Sequence, residues 1–168
     1  MTMETTTWVP GDPVRACGEC ALCCKLISVI DIGKPAGEDC KHCDSKGCMI
    51  YEIRPQSCRD YMCLWVTNPD FPEDLRPDRC GVVWELTEDG KVVLAACLDE
   101  ISANSPIMEG MIGFFRQNGI SVLGTILSSP DSLLVLAPGT TEADVLRSVT
   151  ATAVAQSVRL AEREVATQ

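Results

Sequence analysis

A single histidine, His42, occurs in 168 residues, and only 5% of the chain is aromatic. One imidazole leaves few general bases, and no nucleophile–base pair can be assembled from the spacing of the other side chains, so no catalytic constellation is expected. With so few rings, a core must come chiefly from aliphatic residues, which the 46% apolar content can supply. No apolar run approaches the ~18 residues that a membrane span needs. The opening stretch, MTMETTTWVPGDP, has no basic n-region and no apolar h-region, so no signal peptide is expected. A cytoplasmic protein is therefore expected, in a compartment where thiols stay reduced. A basic excess is missing too. The net charge is −10, and residues 15–65 carry seven basic and seven acidic side chains. A nucleic-acid binder needs a cationic face to displace counterions from phosphates, so nucleic acid is excluded as a partner. Neither a glycine-rich cofactor loop nor an internal repeat can be found.

Cysteine, in contrast, is abundant and clustered. Nine of the eleven fall between Cys17 and Cys63, in a stretch poor in bulky apolar residues. The odd total and the CxxC spacings favour ligation over a disulfide framework. Cys17-Gly-Glu-Cys20 and Cys40-Lys-His-Cys43 each supply two thiolates from one tight turn, the form in which Zn²⁺ is held tetrahedrally. Gly18 and Gly47 ease such turns. Lys25, Lys41, Arg54 and Arg59 can donate to sulfur or offset thiolate charge. Cys23-Cys24 does not easily clasp one small ion from an extended segment, where neighbouring side chains diverge. That pair points to two sites, to a polynuclear cluster, or to one cysteine left free. The run Cys17-x2-Cys20-x2-Cys23 is also the spacing of three ligands to a [4Fe–4S] cubane, with Cys58 or Cys63 as a distant fourth.

The opening Cys17-x2-Cys20-x2-Cys23-Cys24 combines with a closing run from Gly47 to Trp65. That run contains Cys48, Arg54-Pro55, Cys58 and Cys63. Together they resemble the YkgJ-type CxxCxxCC family of zinc- or iron-chelating domains, over roughly residues 17–65. The resemblance implies eight metal ligands: Cys17, Cys20, Cys23, Cys24, Cys40, Cys48, Cys58 and Cys63. Cys43 is extra relative to that pattern. A similar cysteine set occurs in flagellin lysine methylases, where an iron–sulfur cluster is implied, but this chain is too short for a methylase's remaining parts.

The expected fold class is α+β. A cysteine-rich, metal-nucleated N-terminal lobe (17–65) packs on a small hairpin-plus-helices unit (80–168). Residues 66–80, with three prolines, read as a surface connector. Val82–Thr87 and Lys91–Cys97 read as strands joined by a two-residue Asp89-Gly90 turn of type I′. Val82, Trp84 and Leu86 then share a face with Val93, Ala95 and Cys97. Ser105-Pro106 caps a helix carrying Ile107, Met111, Phe114 and Phe115, and Gly119 stops it. Ile120–Leu127 and Leu133–Ala137 are further strands. Thr141–Asp144 forms a capping box for a last helix, whose apolar face uses Val145, Val149, Val154, Val158 and Val165. Cys80 and Cys97 read as core thiols. His42 reads as pointing outward, and Tyr51 and Trp65 as shielding the site from water.

The function expected is chelation of zinc or iron, the iron in one form as a [4Fe–4S] cluster, in a structural or redox role. The alternatives are an iron–sulfur electron carrier or redox enzyme, and a zinc-stabilised module that binds a protein partner without chemistry. Thiol–disulfide exchange through Cys40 and Cys43 requires a preceding strand and a following helix, which the sequence does not offer.

Overall fold

A computed structural model describes residues 13–127, 129 and 132–166, with the side chains of 157–161 and 163–166 left out of the description. The elements define an α+β fold. Through the cysteine-rich segment they are short: α1 (Cys23–Leu26), the strand pair β1 (Cys43–Asp44) and β2 (Gly47–Cys48), α2 (Gln56–Asp60) and α3 (Leu64–Thr67), with 3-10 turns at Ile30–Ile32 and Tyr51–Ile53. One turn, α4 (Pro77–Cys80), leads into a four-stranded sheet of β3 (Val82–Leu86), β4 (Val92–Cys97), β5 (Ser121–Ile126) and β6 (Ser132–Val135). The sheet order is β3-β4-β5-β6. Its two hairpins are antiparallel, and β4 and β5 run parallel. A parallel pair needs a crossover, here provided by α5 (Glu100–Ala103) and α6 (Pro106–Gln117). The long α7 (Glu142–Ala166) follows.

Strand register follows the alternation in the sequence. Val82 pairs with Cys97, Trp84 with Ala95 and Leu86 with Val93. Trp84 meets Phe115 of α6 with ring centroids 5.8 Å apart. Helix α6 begins where its cap predicts: the Ser105 hydroxyl accepts from the Met108 amide at 3.1 Å, with Pro106 following. It ends in a Schellman motif, with Ile120 N–H donating to the Phe115 carbonyl and Gly119 N–H to that of Arg116. The capping box at α7 also forms. Thr141 N–H donates to Asp144 Oδ2 at 2.8 Å, and Asp144 N–H donates back to Thr141 Oγ1 at 3.3 Å. Cys80 and Cys97 are buried in the core, as expected.

Three expectations are corrected. The β3–β4 connection is not a type I′ turn, which needs positive φ at both central residues; here only Gly90 has it. The loop is longer because the Asp89 carboxylate is used as an acceptor, from Thr87 Oγ1 at 2.8 Å and from Lys91 N–H at 3.1 Å. The inward face of α7 is not a valine stripe: it uses Val145, Ser148 and Thr152, while Val154 is exposed. Ser148 Oγ donates to Asp89 Oδ1 at 2.6 Å, and Thr152 Oγ1 accepts from Glu88 N–H at 3.2 Å. Valines there would strand those loop groups without partners. The side chains of Val158 and Val165 lie outside the described residues. Finally, residues 66–80 do not lie over the surface. Short helical turns carry Val66, Phe71, Leu75, Pro77 and Cys80 inward. Val66, Phe71, Leu75 and Cys80 join Leu26, Cys63, Leu64 and Trp65 in one hydrophobic cluster with the sheet.

Candidate metal centre

Each predicted ligand sits on a short local device. Cys20 N–H donates to the Cys17 carbonyl at 3.1 Å and Cys43 N–H to that of Cys40 at 3.0 Å, so both CxxC segments are closed turns. Gly18 has a φ of +60° in the first of them. Cys23 and Cys24 open α1 rather than an extended run, so their side chains do not diverge as they would in a strand. The β1–β2 ladder sets Cys43 directly opposite Cys48. Met49 N–H donates to the His42 carbonyl in the next rung, so 43 and 48 form a non-hydrogen-bonded pair. In such pairs the side chains stand on one face and approach closely. Cys58 lies in α2, begun by Pro55, and Cys63 is the N-cap of α3. The hairpin is pressed on the first turn: a Cβ added at Gly47 would meet the Gly18 carbonyl oxygen at 2.7 Å.

All eight cysteines of the predicted set line one cavity of about 350 Å³, together with His42, Tyr51, Arg54, Tyr61 and Glu85. All eleven cysteines are free thiols. Cys20 and Cys63 each feel Cys17, and Cys63 also feels Cys20. Burial pushes both Cys20 and Cys63 up to about 11. Cys24 contacts both Cys23 and Cys43. The interaction with Cys23, then burial, drives Cys24 far above the usual thiol range. Burial, followed by contact with Cys24, does the same to Cys43, which also feels Cys40 and Cys48. Burial raises Cys58, reinforced by Cys24, Cys40 and Cys48 and opposed by Arg54.

The sequence predicts that these sulfurs converge on metal, in two sites or in a polynuclear cluster. The structure brings them to one cavity, but among the described residues no three His, Cys, Asp or Glu side chains meet closely enough to hold an ion as they stand. Neutral thiols are weak donors and weak acceptors, so little draws them to a shared point. The donor set itself suits a soft or borderline metal: buried thiols that resist ionisation singly become thiolates when a cation offsets their charge.

The surroundings depart from the sequence reading in detail. His42 is among the residues that line the cavity. Tyr51 also lines it, and its hydroxyl accepts from Cys17 N–H at 3.5 Å. Trp65 is buried in the core and does not line the cavity; Arg15 lies 4.8 Å from its ring centroid. Arg54 stacks 3.6 Å over the Tyr51 ring and donates through Nε to the Tyr51 carbonyl at 2.8 Å, while Arg59 Nε donates to the Arg54 carbonyl at 2.8 Å. Lys25 pairs with Asp39 at 3.7 Å. Cys40-x2-Cys43 leads into a strand rather than a helix, unlike a thiol-exchange motif.

Four participants have no sequence signal of their own. Tyr61 hydrogen-bonds Glu85, and Gln156 Nε2 of α7 donates to Glu85 Oε1 at 3.1 Å. Burial raises both the Tyr61 phenol and the Glu85 carboxyl. The strand alternation marks Glu85 as off the Trp84 face, but nothing pairs it with a residue 71 positions away. Asp78 of α4 contacts the Cys20 sulfur. No protein-family model, curated protein or solved structure matches this chain. Among the described residues no helix is long and apolar enough to cross a membrane.

Proposed function

We propose that this chain is a metal-binding protein that holds zinc or iron through its N-terminal cysteines, as the CxxCxxCC resemblance implies, with the metal in a structural or redox role. The observation that carries this reading is the sharing of one cavity by all eight cysteines of that pattern, while Cys80 and Cys97 lie elsewhere as core thiols. A cavity lined by so many sulfurs is costly to ionise and costly to leave empty of charge balance once ionised; a bound cation removes both costs. Cys17, Cys20, Cys23, Cys24, Cys40, Cys48, Cys58 and Cys63 hold the metal. Arg54 offsets thiolate charge at Cys58, and Tyr51, Ile27 and Ile50 limit access of water. A bound zinc would fix the chain, and an iron–sulfur cluster would add one-electron transfer.

One observation favours iron–sulfur chemistry as a second reading. Cys63 neighbours Cys17 and Cys20, so it rather than Cys58 supplies the distant fourth sulfur for the Cys17-x2-Cys20-x2-Cys23 spacing. Purification without oxygen, followed by elemental analysis and a visible spectrum, tests both. Stoichiometric zinc in a colourless protein supports the first reading. A brown protein that dithionite bleaches supports the second. Metal-free protein with all nine N-terminal thiols freely titratable rejects both.

A further inference from the structure

The β1–β2 hairpin holds a pair of cysteines by its backbone alone. Its ladder sets Cys43 opposite Cys48 and Asp44 opposite Gly47, leaving Ser45 and Lys46 as a two-residue loop. Met49 N–H donates to the His42 carbonyl, so the 42–49 rung is hydrogen-bonded and the 43–48 rung is not. On such a rung the Cα atoms stand about 4.5 Å apart, with both side chains on one face. That separation falls within the roughly 4.4–6.8 Å that a disulfide spans, so χ1 rotation suffices to join the two sulfurs. Among the described residues no other two cysteines face each other across a ladder. The hairpin is also held closed. Asp44 Oδ1 accepts from Lys46 N–H at 2.8 Å across the loop, and Gly47 is buried against the Gly18 carbonyl of the first CxxC turn. Cys48 lines the cavity, and both partners of the rung are half-buried free thiols.

We propose that Cys43 and Cys48 form a reversible cross-strand disulfide that weakens metal binding when a peroxide oxidises the hairpin. This rests on the metal-binding reading above and deepens it by giving the site a regulation. Cys48, open to the cavity, attacks one peroxide oxygen. The O–O bond breaks, a sulfenic acid forms, and the other oxygen leaves as water. The Cys43 sulfur then attacks the sulfenic sulfur. The S–S bond forms, the S–O bond breaks, and the hydroxyl leaves as water with the Cys43 proton. Two thiols are oxidised, and one peroxide is reduced to two waters. A metal takes the thiolate as its ligand, so a Cys48 sulfur locked in a disulfide is lost to the donor set. Metal bound at Cys48 blocks the first step in turn, so loading and oxidation oppose each other. A half-exposed bond of this kind is labile to thiol reductants, which reset the hairpin. Cys43, outside the eight-cysteine pattern, thereby acts on the site without ligating the ion.

The test takes the full chain, reduced and stripped of metal by a chelator, and treats it with a stoichiometric amount of hydrogen peroxide. The remaining thiols are blocked and the chain is digested with trypsin without reduction. Lys46 lies between the two cysteines, so the expected bond joins peptide 42–46 to peptide 47–59, and fragmentation places it at Cys48 rather than Cys58. A bond between other cysteines, or none, overturns the pairing and leaves metal binding intact. Zinc is then titrated into the oxidised and reduced wild type. The oxidised chain should bind at least about tenfold more weakly, the smallest loss expected when even a group behind a ligand is removed. Dithiothreitol should restore the reduced affinity. Equal affinity in the two states overturns the switch. Reduced Cys43→Ser should bind zinc as the reduced wild type does, and weaker binding would make Cys43 a ligand instead. A reduced wild type that takes up neither zinc nor ferrous iron overturns the metal-binding reading itself, and the switch with it, whatever the peptide map shows.

Discussion

Gly47 shows how a single position governs the cysteine-rich segment. Its φ is +108°, and a Cβ there would meet the Gly18 carbonyl at 2.7 Å, backbone against backbone. Gly47→Ala therefore meets both strain and overlap and should cost about 1–3 kcal/mol. Thermal unfolding should fall and zinc affinity should weaken with it; an unchanged melting temperature would show that the hairpin does not press on the Cys17–Cys20 turn. Lys34 is a buried cation held by backbone carbonyls. Its Nζ donates to the carbonyls of Ile27 at 2.7 Å, Pro35 at 2.9 Å and Lys25 at 3.2 Å, closing the loop after α1. Lys34→Met leaves those carbonyls without their donor and should cost about 2 kcal/mol. Limited proteolysis should then cut between 25 and 37, and cutting no faster than in the wild type would contradict this role. Cys97 tests burial away from the candidate metal site. Burial, with Cys80 and Asp99, pushes its thiol from 9.0 up to about 11. The folded thiol thus stays neutral where the unfolded one ionises. Its share of stability is complete below pH 9 and is lost as pH rises through 11. Cys97→Val should flatten the decline in stability across that window, measured by urea unfolding; an identical decline would place its cause elsewhere.

At the level of elements, polar contacts decide how α7 docks. Ser148 Oγ donates to Asp89 and lies 3.0 Å from Thr87 Oγ1, and Thr152 accepts from Glu88 N–H. Ser148→Ala should cost about 1–3 kcal/mol by leaving the Asp89 carboxylate short of a donor. Amide exchange should quicken along α7 before it does in β4 and β5, whereas uniform exchange would mean that the helix is held by other contacts. This docking was hidden in the sequence because hydrophobic periodicity ranks valine above serine, and only the loop geometry shows that donors are wanted. The sheet was easier to read. Alternation from Val82 to Cys97 specifies the register, and the Ser105 cap and Gly119 stop bound α6 through local hydrogen bonds. Residues 66–80 misled for the opposite reason: prolines marked them as a connector, although Pro77 opens a helical turn and is itself buried.

For the molecule as a whole, the cysteine-rich segment and the sheet share one hydrophobic cluster, with Leu64, Trp65 and Val66 beside Val82 and Trp84. The eight candidate ligands could be named from spacing and resemblance, because CxxC turns are local. Their arrangement around the cavity could not, because it depends on where α3 and the β1–β2 hairpin are carried by the core. Cys43 was set aside on pattern, although its rung opposite Cys48 gives it a place among the thiols. Metal bound at these sulfurs would contribute folding energy mainly to residues 17–60, since from Leu64 onward the chain has apolar burial of its own.

The most direct measurement is therefore hydrogen exchange of the anaerobically purified chain before and after a strong chelator, with metal content followed in parallel. The account predicts stoichiometric zinc or iron at the start, its loss on chelation, and rapid exchange confined to 17–60 while β3, β4 and β5 stay protected. Protein that carries no zinc or iron as purified, with the same exchange pattern whether or not chelator is added, would contradict it.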